Sequence, residues 1–452
     1  MSRQEPSIDT AIDTIVRWFK TTYAGPDGFP VYDVDGTTGR PVTGRNLLCE
    51  FDDYVPFFWM LGETDFVMKQ FTLLESRITA GRILFNRPQI RERKGLGLPG
   101  IFRRLCYADS QDYVEIMYGL LELYDLSGNP RFLESAQKLM DIIIRCFYRH
   151  GMLRSFRLIP AGPTLSVSDA MSGMLIEIMA DLSARSRDSA GTSKWFDYAA
   201  ECLANWIYSD MFVRYGVFPS VVFEWPWTWF PEIRRRMRSA ELAKANTSMA
   251  YGLFSMALPP HEHPPAREAL DRWVDGLYQY FSTPKCVLMH HPRFNPGDPE
   301  GPILSTNFAA LDLLCDIYHC FQWEKCRDLA VNITDFFLEY QSPVTGLIPD
   351  EPGTSRSYLD ANSDFAVSLV KMTEITGSDH YRRAGRKILD GVLTHHRGPF
   401  GYFRDVDVNN GEPLNTLVET RFCSLLLKPL LLYRDRMTIY GEDGRWSLFR
   451  DR

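Results

Sequence analysis

The chain has 452 residues, 45% of them apolar and 13% aromatic, with a formal net charge of -7. That is enough apolar material for a large core, and the acidic balance excludes a chain-wide basic field, so no nucleic-acid partner is expected. No window reaches the roughly 20 unbroken apolar residues of a membrane helix, Met1–Thr10 has no apolar signal core, and the nine cysteines form no Cys-x-x-Cys pair; a cytoplasmic chain with reduced thiols and no membrane partner is expected.

The first expected helix runs from Ile8 to Tyr23. The turn-like DVDGTTG stretch, Asp33 to Gly39, follows it; it resembles a calcium loop in part but lacks that loop's terminal Glu. A hairpin-like stretch begins near Asp52 and runs through FFWMLGETDFVMKQF. The Asp112–Gly151 stretch reads as helix, Ser-Gly-Asn turn and second helix. Weaker copies begin near Ser168, Asn246 and Asn307, with second helices over Trp195–Tyr208, Ala266–Phe281 and Glu324–Tyr340. The clearest copy is Ser363–Gly401, where apolar residues recur three and four apart in both halves, as half-buried helices require. A last helix, Glu419–Tyr433, is expected to pair with the first. Helical hairpins repeated every 40 to 60 residues mean a solenoid or a closed ring. The long connections Phe85–Cys106 and Val217–Lys244 favour a ring with an elaborated face. The fold is therefore expected to be all-α, an (α/α)6 barrel or toroid of six to seven hairpins, in one domain over 1–452.

What precedes each first helix is polar: CEFDDY from Cys49, YADSQDY from Tyr107, SVSDAMS from Ser166, KANTSMAY from Lys244, LSTNFAA from Leu304, LDANSDF from Leu359 and NTLVETRF from Asn415. Such residues cap helix N-termini, and capping accounts for any one of these segments. It accounts less well for the double carboxylates Asp52/Asp53, Asp109/Asp112 and Asp360/Asp364, because one cap needs one side chain. In a ring of alternating helices all first helices start at one rim, so these acids would converge with the positive ends of the helix dipoles. Paired carboxylates among aromatic rings suit sugar chemistry, one protonating a glycosidic oxygen while the other activates water or attacks. The aromatic candidates include Tyr54, Tyr107, Tyr113 and the EWPWTWFP loop with Trp225 and Trp227. Arg45, Arg356 and Arg421 could bind an anionic group or balance the acids. His290-His291 and His395-His396 lie in exit loops, so acid–base work by histidine stays open.

The step Thr376-Gly377, Tyr381 and Ala384 resembles the hairpins of six-hairpin carbohydrate-enzyme toroids. That superfamily includes unsaturated glucuronyl hydrolases, N-acylglucosamine 2-epimerase-like proteins, several polysaccharide lyases and the helical domain of glucuronyl C5-epimerases. The acidic starts at Asp52–Tyr54 and Asp109 look like those of the glucuronyl hydrolases. The resemblance covers nearly the whole chain and is architectural.

The leading expectation is a glycoside hydrolase acting on a small saccharide, acidic ones included. Asp109 or Asp112 is expected as the general acid, with Asp52 or Asp53 as its partner. Tyr54, Tyr107, Tyr113, Trp225, Trp227, Asn246, Asn307, Asp360, Asp364, Glu419 and Arg421 are expected to bind substrate. A sugar epimerase or polysaccharide lyase on the same toroid is the alternative, and a non-catalytic helical scaffold the third. No metal and no cofactor are expected, and homo-oligomerisation is compatible with the sequence.

Overall fold

The computed structural model describes residues 7–80, 108–157, 167–186, 193–224, 229, 231, 234, 237–295 and 301–441. Its contacts divide into two compact units: residues 1–70, 283–289 and 300–451, and residues 71–282, 290–299 and 452. Both are built from helical hairpins. In the first unit Leu304–Phe321 pairs with Glu324–Leu338, and Leu359–Thr376 with Asp379–Gly391. The closing stretch Leu427–Arg434 packs on the opening helix Ile8–Lys20, as the sequence leads one to expect. In the second unit the pairs are Val114–Ser127 with Pro130–Phe147, Ser172–Arg185 with Lys194–Ile207, and Thr247–Ala257 with Pro264–Gly276. Counting Val55–Met60 and Thr420–Leu425, seven first helices occur among the described residues.

First and second helices differ in burial, and that difference sets their order. Every residue of Thr247–Ala257 is buried, and Leu359–Thr376 buries an unbroken run from Ala361 to Met372. Asp379–Gly391 buries only Tyr381, Ala384, Gly385, Ile388, Leu389 and Gly391, one stripe of an otherwise charged helix. The expectation that both halves of the Ser363–Gly401 repeat are half-buried therefore holds for the second helix alone. The first is covered on all sides, including its Lys371.

A sharper repeat marks six helix exits among the described residues. Gly28, Gly151, Gly216, Cys286, Gly346 and Gly401 all have positive φ, from 55° to 155°. Each is followed by two buried residues, such as Val217-Phe218 and Leu347-Ile348. At Gly216 an added Cβ would lie 2.5 Å from the Arg272 carbonyl oxygen, so space as well as backbone conformation requires glycine there. Cys286 breaks the pattern with φ 55°. Because a left-handed L-residue costs about 1–2 kcal/mol, Cys286→Gly is expected to raise the melting temperature slightly; a fall would show that the thiol makes a compensating contact.

At three of these exits the second residue is held by an asparagine at the next first-helix start. The Asn246 side chain accepts from the Phe218 N–H at 2.7 Å and donates to its carbonyl at 3.0 Å. Asn307 does the same to Leu288, at 3.1 and 2.8 Å, and Asn362 to Ile348, at 2.9 and 3.0 Å. All three asparagines are fully buried. Replacing Asn362 with Ala strands a buried backbone donor and acceptor, at about 1–3 kcal/mol each. Thermal unfolding of that variant is expected to show a loss of about 2–6 kcal/mol for the two groups together, and an unchanged midpoint would mean that Ile348 finds other partners.

Short antiparallel ribbons precede two first helices of the first unit. Arg356–Tyr358 pairs with Asp405–Asp407 and leads directly into Leu359–Thr376. Leu417–Glu419 pairs with Asp33–Asp35 and leads into Thr420–Leu425. Each partner strand runs into a tight turn of the same design. Asp35 accepts from the Thr37 and Thr38 N–H groups before Gly39, and Asp407 from Asn409 before Gly411. The DVDGTTG stretch is thus a hairpin turn whose acid is engaged by its own loop.

Candidate functional site

First and second helices differ at the cap position. None of the seven first helices receives a side-chain hydrogen bond from its cap position. Second helices are capped in the ordinary way, by Asn129 and Ser193 for example. In the first unit several of the charged residues at the first-helix starts lie close together.

Asp360 sits in the first turn of Leu359–Thr376 and is half-buried; Asp364, one turn on, is 5% exposed. Burial is the first cause that pushes the Asp360 carboxyl up to about 7, and the charge of Asp364 adds to it; Arg421 pulls the other way. The Asp364 carboxyl is pushed up to about 6, first by burial and then by Asp312, while Lys428 and Arg421 oppose the shift. Lys428 is 4% exposed, so a buried ammonium stands beside the pair.

The next first-helix start supplies the complementary groups. Arg421 Nε lies 3.1 Å from the carboxylate of Asp53, which is 7% exposed. Glu419 accepts a hydrogen bond from the Tyr32 hydroxyl at 3.1 Å and faces Arg404 Nη1 at 3.4 Å. The Arg45 guanidinium lies 3.6 Å over the Tyr32 ring. Asp405, fully buried, stands 3.5 Å from both Arg356 Nε and Arg404 Nε. The result is an ion-paired set of carboxylates next to a carboxyl pair that protonates readily near neutrality. That split is what general acid–base chemistry needs.

Of the residues expected from sequence, Asp53, Asp360, Asp364, Glu419 and Arg421 meet in this cluster, and Asp52 is half-buried beside Asp53 in the chain. Asn246 and Asn307 are occupied as backbone clamps instead, with the amide oxygen and nitrogen both engaged. Tyr54 is a core ring, stacked 5.8 Å from Phe19 with none of its surface exposed. Tyr113 is 2% exposed and packs near Phe147. Asp112 is 2% exposed and belongs to the second unit. Tyr107, Trp225, Trp227 and the side chain of Asp109 lie outside the described residues. His396, of the double histidine, is fully buried with Nδ1 on the Phe403 carbonyl; burial lowers it to about 4. No group of three or more His, Cys, Asp or Glu among the described residues is placed to hold a metal ion.

Sequence reading missed Tyr32, Arg404, Asp405 and Lys428. Lys428 had a signal, a lone cation inside LLLKPLLLY, where a charge has no reason to sit unless it meets one of opposite sign. Tyr32 and Arg404 had none, since their roles depend on strands of two or three residues that no periodicity announces.

No family model and no curated protein matches the chain by sequence. Solved structures do match it. An alpha-1,2-mannosidase from Trichoderma reesei is 13% identical with a TM-score of 0.64, covering 94% of this chain and 92% of that one. A D-mannose isomerase is 10% identical with a TM-score of 0.58, covering 97% and 100%. A cellobiose 2-epimerase from Bacillus thermoamylovorans B4167 is 10% identical with a TM-score of 0.54, covering 71% and 88%. Likeness at such identities speaks for architecture and not for chemistry. The chain is mostly helical and has the (α/α)6 toroid fold of these solved structures.

Proposed function

We propose that the protein is a carbohydrate-active enzyme, a glycoside hydrolase acting on a small saccharide, with Asp360 as its general acid. The observation that carries this reading is the environment of Asp360: a half-buried carboxyl held near neutrality, next to Arg421 and the ion-paired carboxylates Asp53 and Glu419. An acid with a titration point close to the working pH is the most effective proton donor. In the proposed reaction Asp360 gives its proton to the glycosidic oxygen as the bond to the anomeric carbon breaks. Asp53 or Glu419 takes the complementary role, as base to an attacking water or as nucleophile. The proposed substrate is a saccharide because hydroxyl-rich ligands are recognised by such alternating carboxylates and guanidinium groups, and because the similar structures bear the names of sugar enzymes.

This reading moves the acid from Asp109 or Asp112 to Asp360. Asp112→Asn is then expected to keep activity where Asp360→Asn loses it, and the reverse outcome would restore the sequence-based assignment. The isomerase and epimerase names among the similar structures define the second reading. The full burial of His396 removes one histidine from that chemistry. A panel of p-nitrophenyl glycosides and disaccharides, incubated in deuterated water and followed by mass spectrometry, separates the two. Hydrolysis yields two sugars, or a sugar and nitrophenol, with no carbon-bound deuterium; epimerisation or isomerisation breaks a C–H bond and takes up solvent deuterium at that carbon, raising the mass, with the glycosidic bond intact.

A further inference from the structure

We propose that Lys371 is a positioning residue for the acid pair, fixing Asp364 and Asp360 through a buried ionic knot with Asp312 and Asp316 that Tyr440 completes. The inference rests on the reading of Asp360 as the acid.

Lys371 Nζ donates to Asp312 at 2.7 Å and to Asp316 at 2.8 Å, and all three residues are 0% exposed. The Tyr440 hydroxyl donates to Asp316 at 2.6 Å, and its ring stacks on His319 at 4.1 Å. Glu374 holds that segment by accepting from the Ile439 and Tyr440 N–H groups at 2.8 and 2.9 Å. Two anions and a cation taken out of water bring little net stability, and apolar residues of the same volume often serve the fold as well or better. The knot therefore has a better claim to a role in placement than in stability.

Its location supports that role. Lys371 lies seven residues after Asp364, two turns along the same face of Leu359–Thr376. Asp312 comes from the neighbouring helix Leu304–Phe321 and is hydrogen-bonded by Lys371 while its charge acts on Asp364. The charged groups facing Asp364 are Asp312, Lys428 and Arg421, with Asp360 one turn earlier. The knot thus sets both the register between the two helices and one of the fields in which Asp364 titrates.

Two variants test this. Lys371→Met combined with Asp312→Leu, Asp316→Leu and Tyr440→Phe removes every polar member at once, so none is left stranded; it is expected to fold. Asp312→Asn is the smaller change. In both, Asp364 is expected to titrate at lower pH than in the unaltered protein, read by carbon-13 NMR of labelled aspartate carboxyls with Asp364→Asn to assign the signal. With the glycoside that the panel identifies, kcat is expected to fall about tenfold or more while KM moves less than about twofold, the pattern of lost placement. A folded combined variant with unchanged kcat, pH profile and Asp364 titration overturns the proposal. Should Asp360→Asn prove fully active, the hydrolase reading fails separately, and the carboxyl titration still decides whether the knot acts on Asp364.

Discussion

Asp360→Asn is expected to lower kcat by about 10²- to 10⁴-fold, the usual contribution of a positioned acid, and at the same time to make the protein more stable at pH 8. The two effects share one cause. In the folded chain the Asp360 carboxyl is pushed up to about 7 by burial and by Asp364, far above an unfolded aspartate near 3.8. Between those values the folded state binds more protons than the unfolded state, so stability falls as pH rises. Asparagine cannot ionise, so the variant escapes that loss above pH 7 and shows no gain near pH 4. The activity loss should depend on the leaving group. It should be largest for a sugar leaving group, which needs the proton, and smaller for p-nitrophenol, which departs as an anion. A loss of equal size on both would mean that Asp360 binds substrate and does not donate a proton to it. A variant less stable at pH 8 would mean that Asp360 is held as an anion in the fold.

The helical plan was legible because it rests on periodicity. The copies expected from near Asn307 and Ser363 fall on observed helices that begin three or four residues earlier, at Leu304 and Leu359, so the polar segments expected to precede them lie inside their first turns; the last helix packs on the first as expected. Two things were hidden. Asn246, Asn307 and Asn362 look like caps or sugar ligands in sequence, but they clamp backbone two residues beyond a positive-φ turn, a partner 14 to 28 positions away. The turn itself reads as glycine followed by two apolar residues, and Cys286 conceals one instance. The ribbons that carry Tyr32 and Arg404 toward Glu419 are too short to leave a pattern. The buried Lys371 and the Asp312/Asp316 pair, by contrast, stand in otherwise apolar helices, where a charge announces a partner. Reading those three interior charges together would have found the knot from sequence.

Arg421→Met tests the cationic side of the same cluster. Arg421 faces Asp53 at 3.1 Å and lowers the titration points of both Asp360 and Asp364. Its removal should cause a loss of stability, because it takes a cation away from a buried carboxylate. The loss should be greater at pH 8 than at pH 4, because without the guanidinium the two carboxyls rise further and ionising them in the fold becomes costlier. The same rise makes a kinetic prediction of definite sign. If Asp360 must be protonated to act, the alkaline limb of kcat/KM moves to higher pH in this variant, even as the maximum falls through the disturbed Asp53. Arg421→Lys keeps a cation without the planar fork, so it should restore most of the pH position and only part of the rate. An alkaline limb that stays fixed or moves to lower pH would detach Arg421 from the acid, and with it the assignment of Asp360 to that role.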